Sequence, residues 1–507
     1  MNNDRIGAES LSVIKLDTSF GYESSCDFSL PDYMPEIGRL LGVTAVLLPE
    51  GKFLNGSVLE LDGTLAYSAL YIGDDGSLTA APLTTDYSAD TALPTGIGST
   101  EGIVVDTELE GTTCRPTGPR DLNIKSRLRF RVTCDDAMRD GGLVTGADGG
   151  AVSDQAGGVE RMCEDITSLV RARGGATSEV SGTLSAPDGA KPLTCRGALD
   201  VTSASYDAGG VKVTGDVFLT CIFEDGTEFR SAKTALPFEV TVPIDTAAPF
   251  SGAAAWGRVA TVSVAPSNND PSVFDVTAEF DIDAEAYCTT AASVTLDAYS
   301  TSHESENEYR ECDIPELIAS GSRKIEASGE VELKRGADDA VLLDLSPGVC
   351  RASVTVSDGA LVALGDVKIR ALINSGGEIY VQEAELPFRA ELGDAPEGVA
   401  TQDLYSHTVC TVVDLSGRIA GGGLSLSCQM RLAYTVCRRR RERVVTQVML
   451  SDEIPRDAAP CVRVYYPERD ESVWSVAKKY RADRGQLMKN NTFDGEIVRE
   501  GCPVIIF

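Results

Sequence analysis

The stretch that decides the fold is VKVTGDVFLTCIFEDG, residues 211–226. Its apolar residues alternate with polar ones, and Asp225-Gly226 closes the run. Alternation with a period of two that ends in Asp-Gly is typical of a β-strand entering a hairpin. The stretch therefore predicts an antiparallel pair of strands at this point of the chain.

The same pattern occurs two more times, at residues 59–76 and 361–377. Each copy has a glycine in mid-strand, and an aromatic residue follows each turn at a similar distance. The glycines are Gly63, Gly215 and Gly365, spaced by 152 and 150 residues, and the aromatic residues are Tyr87, Phe238 and Phe388. A second alternating strand repeats in the same frame, starting at Leu122, Phe274 and Leu424. This shared spacing predicts three tandem domains of one fold.

The predicted fold class is mainly β, with three tandem antiparallel domains and a small C-terminal βααβ module. Both a sandwich and a barrel fit the strand pattern of the three domains. One helix is expected ahead of the second domain, at 159–173, because Met162, Ile166, Leu169 and Val170 share a helical face. The predicted bounds are 1–139, 159–300 and 301–454 for the domains, 140–158 and 455–463 for the linkers, and 464–507 for the module.

The chain is strongly acidic, with a formal net charge of −32. Residues 431–507 carry 15 Lys and Arg against 11 Asp and Glu, so the remainder of the chain carries −36. This charge argues against nucleic acid and anionic membranes as partners. No run of apolar residues is long enough for an integral membrane segment, and the first residues lack the apolar core of a secretory signal.

The 14 cysteines include no C-x-x-C pair, and several fall at apolar positions of predicted strands, among them Cys221. We expect free thiols that pack as small apolar groups in a reducing cytoplasm, with no obligatory disulfide. The alternative is oxidative cross-linking in an extracellular or late-maturing assembly.

Residues 464–507 predict a strand, two helices and a final strand. The first helix carries Val473, Val476, Ala477 and Tyr480 on one face, after a cap at Asp470 or Ser472. The second begins with a capping-box-like pair, Asp483 and Gln486, and ends at Asn490-Asn491, since Asn tolerates the left-handed conformation of a helix stop.

This segment resembles a LysM domain, through Asp470, the run WSVAKKY at 474–480, and Asn490. The resemblance implies binding of N-acetylglucosamine glycans, such as peptidoglycan, or docking of a protein. Arg469 stands where the family usually has Gly, and its long side chain would obstruct a flat sugar groove. Trp474 is expected mainly to pack the small core. The candidate binding residues are Arg469, Asp470, Glu471, Ser472, Trp474, Lys478, Lys479, Asn490 and Asn491.

With this module in place, the strand-rich repeats resemble the SPOCS family of spore coat assembly and sporulation proteins. The resemblance rests on Cys26, the run PDYMPEI at 31–37, Gly63 and Tyr71-Ile72. It implies a non-enzymatic scaffold in the mother-cell cytoplasm, at the surface of the forespore and its coat. The implied partners are coat morphogenetic proteins, above all the SpoIVA-like ATPase of the basement layer.

The sequence offers little material for catalysis, so we expect no enzyme, no cofactor and no metal. Its two histidines, His303 and His407, lack Cys or Asp at ligand spacing and are expected at the surface or in turns. One basic cluster stands out, made of Arg438, Arg439, Arg440, Arg441 and Arg443. It predicts a solvated strand end, a docking site for an acidic partner, or an internal clamp onto the acidic body.

The functional expectation is a spore-envelope scaffold whose C-terminal module folds independently and recruits a protein. Lys478 and Lys479 are expected on its surface, where they would contact that partner. The alternative is a cell-wall or cortex protein that binds peptidoglycan through the module, and a hydrolase carried by one repeat ranks below both.

Overall fold

A computed structural model describes residues 10–506, apart from 49–50, 101, 140–142, 148–149, 188, 208, 227, 245–247, 269, 271, 335–338 and 456–461. The described chain is mainly β and forms several antiparallel sheets, as the sequence predicts. The longest helix in this part has eight residues, and no helix there could cross a lipid bilayer.

The N-terminal third forms two antiparallel sheets around one core. Strands β1 to β8 are Ser10–Ser29, Ile37–Leu47, Gly51–Asn55, Val58–Gly73, Leu78–Ala92, Ile103–Pro116, Asp121–Arg139 and Leu143–Thr145. One sheet has the order β1-β7-β6, and in the other β4 pairs with β2, β3 and β5. Leu65 and Tyr87 of the second sheet meet Leu128 and Phe130 of the first in the core.

The middle third has the same arrangement. Strands β9 to β14 are Val159–Ser185, Lys191–Asp207, Gly210–Asp225, Glu228–Val242, Gly252–Pro266 and Val273–Ser300. The sheet orders are β10-β11-β12 and β13-β14-β9. A single core joins them, where Phe223 packs on Phe274 and Phe238 packs on Phe280.

The third pair of sheets follows the same order again. Strands β15 to β20 are His303–Glu332, Val341–Ser357, Ala360–Ser375, Glu378–Asp394, Leu404–Ala420 and Gly423–Glu453. β20 lies between β15 and β19, and β17 lies between β16 and β18. In each of the three pairs, the two sheets contribute side chains to one buried core.

The repeated glycine and the repeated aromatic residue lie opposite each other in all three pairs. Gly63 pairs with Tyr87, Gly215 with Phe238 and Gly365 with Phe388. The aromatic ring lies over the glycine, so a Cβ at Gly63 would come within 2.5 Å of the Tyr87 hydroxyl and one at Gly365 within 2.4 Å of the Phe388 ring. Glycine is therefore required because the ring occupies the place of a side chain.

The prediction of a helix at 159–173 is wrong, because these residues form the first half of β9. Their apolar pattern looks helical because the strand is buried on both faces. Ile166 faces a core shared with β1 and β15, while Leu169 packs on Tyr405 and Cys437 from the third pair of sheets. β9 also pairs with β14 along its whole length, so its backbone N–H and C=O groups find hydrogen-bond partners in the sheet. These tertiary contacts override the helical preference of the local sequence.

The segments between the sheets contain more regular structure than predicted. A turn at Asp32 and Tyr33 leads to β2, which starts at Ile37. The 140–158 segment includes β8, which pairs in parallel with β20, and the short helix α1, Asp154–Gly157. A 3-10 turn spans Thr401–Asp403. Most of the 455–463 segment lies outside the described residues.

The C-terminal segment contains β21 (Arg463–Tyr465), β22 (Glu471–Ser472), α2 (Val473–Tyr480), α3 (Arg484–Asn490), β23 (Ile497–Val498) and β24 (Val504–Ile506). Ser472, not Asp470, caps α2, since its side chain accepts from the Ser475 N–H. Asp483 caps α3 as predicted, accepting from the Gln486 N–H. Asn491 ends α3 in an extended conformation, so the expected left-handed stop is wrong.

The expectation of free thiols throughout is wrong at one pair of cysteines. Cys195 on β10 and Cys221 on β11 face each other across the strands and form a disulfide. The remaining described cysteines are free, including the buried Cys134, Cys288 and Cys428.

Candidate functional site

The first candidate site is the C-terminal module, which packs against the end of β14. Trp474 of α2 is buried, and its ring meets the edge of Tyr299 at a centroid distance of 4.9 Å. The indole N–H donates to an Asp297 carboxylate oxygen at 2.9 Å. Trp474 thus packs a core, as expected, but that core includes residues of the body, contrary to the expectation of a self-contained module.

Asp297 is the centre of this contact. Both of its carboxylate oxygens accept from the Lys478 ammonium group, at 2.6 and 2.7 Å. Asn307 and the Tyr309 hydroxyl also donate to it. Although burial favours the neutral acid, the hydrogen bonds from Lys478 and Trp474 hold the pKa of Asp297 below its usual value. Lys478 therefore anchors the module to the body, while its side chain stays 41% exposed at the surface.

Two further contacts surround this anchor. The Tyr299 hydroxyl donates to the Ala482 carbonyl oxygen at 2.7 Å. The Arg481 guanidinium forms two hydrogen bonds with the Glu304 carboxylate, at 2.7 and 2.5 Å. Together they fix the turn between α2 and α3 against β14 and β15.

The two loops at the other end of the module are bound to each other. β22 pairs with β23, and the Asp470 carboxylate accepts from the Glu500 N–H and from Arg499. Arg499 also reaches Asp494. Arg469 is exposed beside this junction, and the half-buried Glu471 accepts from the Tyr465 hydroxyl. The side chains expected in a sugar groove therefore bridge the loops.

The remaining predicted site residues lie along α2 and α3. Asn490 is exposed, whereas Asn491 donates to the Leu487 and Ile505 carbonyls and accepts from the Ile505 N–H. Asn491 thereby fixes β24 to α3, which is a structural role. The exposed Lys479 ammonium lies 4.4 Å from the centre of the Tyr465 ring.

The outer face of β21 and β24 is apolar and exposed. Val464 lies opposite Ile505 in the register, and Val462 and Tyr466 flank β21 and continue the alternation in the sequence. Val464 is 53% exposed and Tyr466 is 60% exposed. Of the twelve large apolar side chains that are exposed in the described part of the chain, six fall between residues 462 and 505. Sequence analysis missed this face, although the alternation Val462-Val464-Tyr466 marks it.

Comparisons with protein-family models, with curated proteins and with solved structures each return no match to this chain. The interpretation of the sites therefore rests on their geometry and on the sequence motifs.

The predicted basic cluster lies on β20, and several of its members join different pairs of sheets. Arg439 pairs with Asp17 of β1 at 2.5 Å, and Arg440 pairs with Glu164 of β9 at 2.7 Å. Arg443 stacks over the Tyr309 ring at 3.8 Å. Arg438 lies 3.9 Å from Glu316, while Arg441 is 81% exposed. Of the three alternatives for this basic cluster, Arg439 and Arg440 fit the internal clamp, and Arg441 fits the solvated strand end.

The second candidate site is a cleft of 1690 Å³ where the three pairs of sheets meet. Arg173 of β9 lines the cleft and bridges two carboxylates from different sheet pairs, Glu285 and Asp106, at 2.7 Å each. Arg171 donates to Asp135 and to the Tyr405 hydroxyl. Ion pairs and hydrogen bonds made by residues that line the cleft therefore tie the three sheet pairs together.

His407 belongs to this network, and its expected place at the surface or in a turn is wrong. Its Nε2 lies 3.0 Å from Asp106, and its ring packs on Trp256. Although burial favours the neutral acid, Arg173 and His407 hold the pKa of Asp106 well below its usual range. His303 is the half-buried first residue of β15, next to the turn that follows β14.

Three buried polar residues in or beside this ion-pair network recur at the spacing of the sequence repeat, and that recurrence is a signal in the sequence that could have pointed to the network. Glu285 is fully buried, and Thr133 and Thr435 occupy the corresponding positions, 152 residues before it and 150 after it. Thr435 donates to Glu285. In the described part of the chain, no group of three or more His, Cys, Asp or Glu side chains is placed to hold a metal ion.

Proposed function

We propose that the chain is a non-enzymatic scaffold for assembly of the spore coat and envelope in the mother cell. In this proposal, three tandem SPOCS-like sandwich domains form an acidic body, and a LysM-like module recruits a coat morphogenetic protein at the forespore surface. The partner that the family resemblance suggests is the SpoIVA-like ATPase of the coat basement layer.

The observation that carries the proposal is the exposed apolar face of the module. Four of the twelve large apolar side chains that are exposed in the described part of the chain, Val462, Val464, Tyr466 and Ile505, lie on or next to β21 and β24. Concentrated apolar surface marks sites where proteins associate. The contacts at Asp297 and Glu304 lie on α2 and on the turn that follows it, so Val464 and Ile505 on the two-stranded sheet stay exposed.

The body is suited to hold that face in a fixed position. The same strand order and the same glycine–aromatic pairing in three sheet pairs support three domains of one fold. Ion pairs then join them: Arg173 with Asp106, Arg196 with Asp344, and Arg439 with Asp17. Ion pairs that are partly buried and share partners fix the relative orientation of the sheet pairs more than isolated surface ion pairs would.

The placement in the cytoplasm rests on the family resemblance alone. The expectation that all cysteines are free thiols would have supported a reducing compartment independently. The Cys195–Cys221 disulfide takes that support away, because structural disulfides are typical of oxidising surroundings.

The alternative, binding of peptidoglycan or another N-acetylglucosamine polymer, has one observation in its favour. Tyr466 is an exposed aromatic ring beside the first loop of the module, and such rings offer an apolar face to a ligand. Against it, the Asp470–Arg499 pair spans the two loops, and the exposed Arg469 lies next to this pair.

Binding of the full-length chain to both classes of ligand tests the proposal. We expect saturable binding to the purified SpoIVA-like ATPase in biolayer interferometry, and no measurable binding to chitin oligomers or to cortex peptidoglycan. Tight binding to the glycans without binding to the ATPase would favour the alternative.

A further inference from the structure

The Cys195–Cys221 disulfide occupies a position that the other two sheet pairs fill without cysteine. Cys195 of β10 and Cys221 of β11 are register partners, 26 residues apart in the chain. Each of the other sheet pairs has a register pair with the same spacing, 152 residues earlier or 150 residues later, as for the repeated glycines. These pairs are Val43 with Ala69 in the first sheet pair and Leu345 with Ala371 in the third. The disulfide therefore stands where the repeated fold otherwise has an apolar contact.

The fold does not need a covalent bond at this position. The two apolar pairs are buried, and the cores of their sheet pairs form around them without a cross-link. Cys221 is likewise fully buried in the core of the second sheet pair. Because a free thiol packs as a small apolar group, the reduced cysteines can fill the same space as Val43 and Ala69 do.

We propose that Cys195 and Cys221 form a site of reversible thiol–disulfide exchange that locks an already folded domain. The chain folds with both thiols reduced, and a small-molecule disulfide such as glutathione disulfide then closes the bond. A lock that closes after folding is compatible with synthesis in a reducing compartment, whereas a disulfide that is required for folding is not.

The exchange takes two steps. The Cys195 thiolate attacks one sulfur of glutathione disulfide, the S–S bond of that reagent breaks, and one glutathione thiolate leaves. The Cys221 thiolate then attacks the Cys195 sulfur of the mixed disulfide and releases the second glutathione thiolate. Each leaving thiolate takes up the proton that a protein thiol has lost. Two protein thiols are thereby oxidised, and one glutathione disulfide is reduced to two thiols.

The position of Cys195 decides which thiol reacts first. β10 is an end strand of the sheet β10-β11-β12, and Cys195 is half-buried there. Cys221 lies on the central strand and is fully buried. A reagent from solvent therefore reaches Cys195, and Cys221 acts only on the mixed disulfide.

The strand that the bond secures also holds the second sheet pair to the third. Arg196, next to Cys195, donates to both carboxylate oxygens of Asp344, at 2.8 and 2.6 Å. Further along β10, Asp200 accepts from Arg431 of β20 at 2.6 and 3.0 Å. A covalent link from β10 to the central strand β11 therefore limits local opening of the strand that makes both contacts.

Mass mapping of the full-length chain in glutathione buffers tests the exchange. The chain is reduced, returned to buffers with an increasing oxidised fraction, and alkylated before peptide analysis. We expect the Cys195–Cys221 disulfide to form as the oxidised fraction rises and to open when it falls, with the same circular dichroism spectrum in both states. Cys163 is the control for access of the reagent, since this exposed thiol should form only a mixed disulfide with glutathione.

The double variant Cys195→Val, Cys221→Ala copies the Val43–Ala69 pair and should fold like the wild type. Reduction should lower the unfolding temperature of the second sheet pair by about 5–15 °C in the wild type and leave that of the double variant unchanged. It should also speed hydrogen exchange of the β10 amides several-fold, again in the wild type only.

Loss of the β-sheet circular dichroism signal in the reduced chain or in the double variant would overturn the proposal, because the disulfide would then be required for folding. The proposal also fails if the reduced, folded chain forms no Cys195–Cys221 disulfide in any of the glutathione buffers. An unchanged unfolding temperature and unchanged β10 exchange after reduction of the wild type would contradict the role as a lock.

Discussion

Replacing Asp297 by alanine should release the C-terminal module from the body of the chain. Asp297 lies on β14 and accepts hydrogen bonds from the Trp474 indole and from Lys478 of α2. The substitution removes these acceptors and also one from the Tyr309 hydroxyl of β15, whereas Asn307 keeps its bond to the Ala298 carbonyl oxygen. The backbone pairing of β14 does not involve the Asp297 side chain, so the substitution mainly tests the attachment of the module.

The magnitude follows from the two donors. The Trp474 N–H becomes a buried donor without an acceptor, which costs about 1–3 kcal/mol. Lys478 is 41% exposed, so loss of its ion pair adds about 0–1 kcal/mol. The sum, about 1–4 kcal/mol, shifts the equilibrium between attached and released module about 5- to 900-fold toward release.

Acrylamide quenching of Trp474 fluorescence measures this release, in a Trp256→Phe background that leaves one tryptophan. We expect Asp297→Ala to increase quenching, because the indole loses its contact with Tyr299. Asp275→Ala is the matched control, since it alters an exposed acid on the same strand. Equal quenching in Asp297→Ala and the control would refute the reasoning that Asp297 holds the module.

Three further predictions concern the same elements. Because the pKa of Asp297 is lowered in the folded chain, its carboxylate stabilises the attached module fully above the unfolded pKa of about 3.9. This stabilisation is lost as the pH falls through the folded pKa, so Trp474 quenching should rise below about pH 4. Ser472→Ala should destabilise α2 by about 1 kcal/mol, measured by hydrogen exchange of its amides, whereas Asp470→Ala should not show the loss of a cap. Gly365→Ala should destabilise the third pair of sheets by about 1–3 kcal/mol in thermal unfolding, because the new Cβ would lie 2.0 Å from the Arg351 carbonyl oxygen. Gly111→Ala, where nothing lies within 4 Å, is its control, and equal melting temperatures of the two variants would contradict the argument.

The strands were predictable from the sequence because one face of most of them is buried. The alternation around Gly215, repeated around Gly63 and Gly365, placed three central strands and the aromatic residues that cover their glycines. The same reasoning failed at 159–173, where neighbouring sheets bury both faces of β9 and produce a helical pattern.

The candidate sites were less predictable, because they depend on contacts between distant parts of the chain. Lys478 looked like a surface residue until Asp297, 181 residues away, was placed beside it. His407 had no acidic neighbour at ligand spacing, yet its partner Asp106 comes from another pair of sheets. Local spacing contains no information about such pairs.

The central claim is that the outer face of β21 and β24 recruits a protein, and one comparison tests it most directly. Val464→Asp and Val341→Asp introduce the same charge at valines of similar exposure, 53% and 57%, the first on this face and the second at the start of β16. Binding of each full-length variant to the purified SpoIVA-like ATPase is measured by biolayer interferometry. The account predicts that Val464→Asp loses about ten-fold or more in affinity, as when a charge enters an apolar contact, while Val341→Asp binds like the wild type. Wild-type affinity in Val464→Asp would contradict the claim.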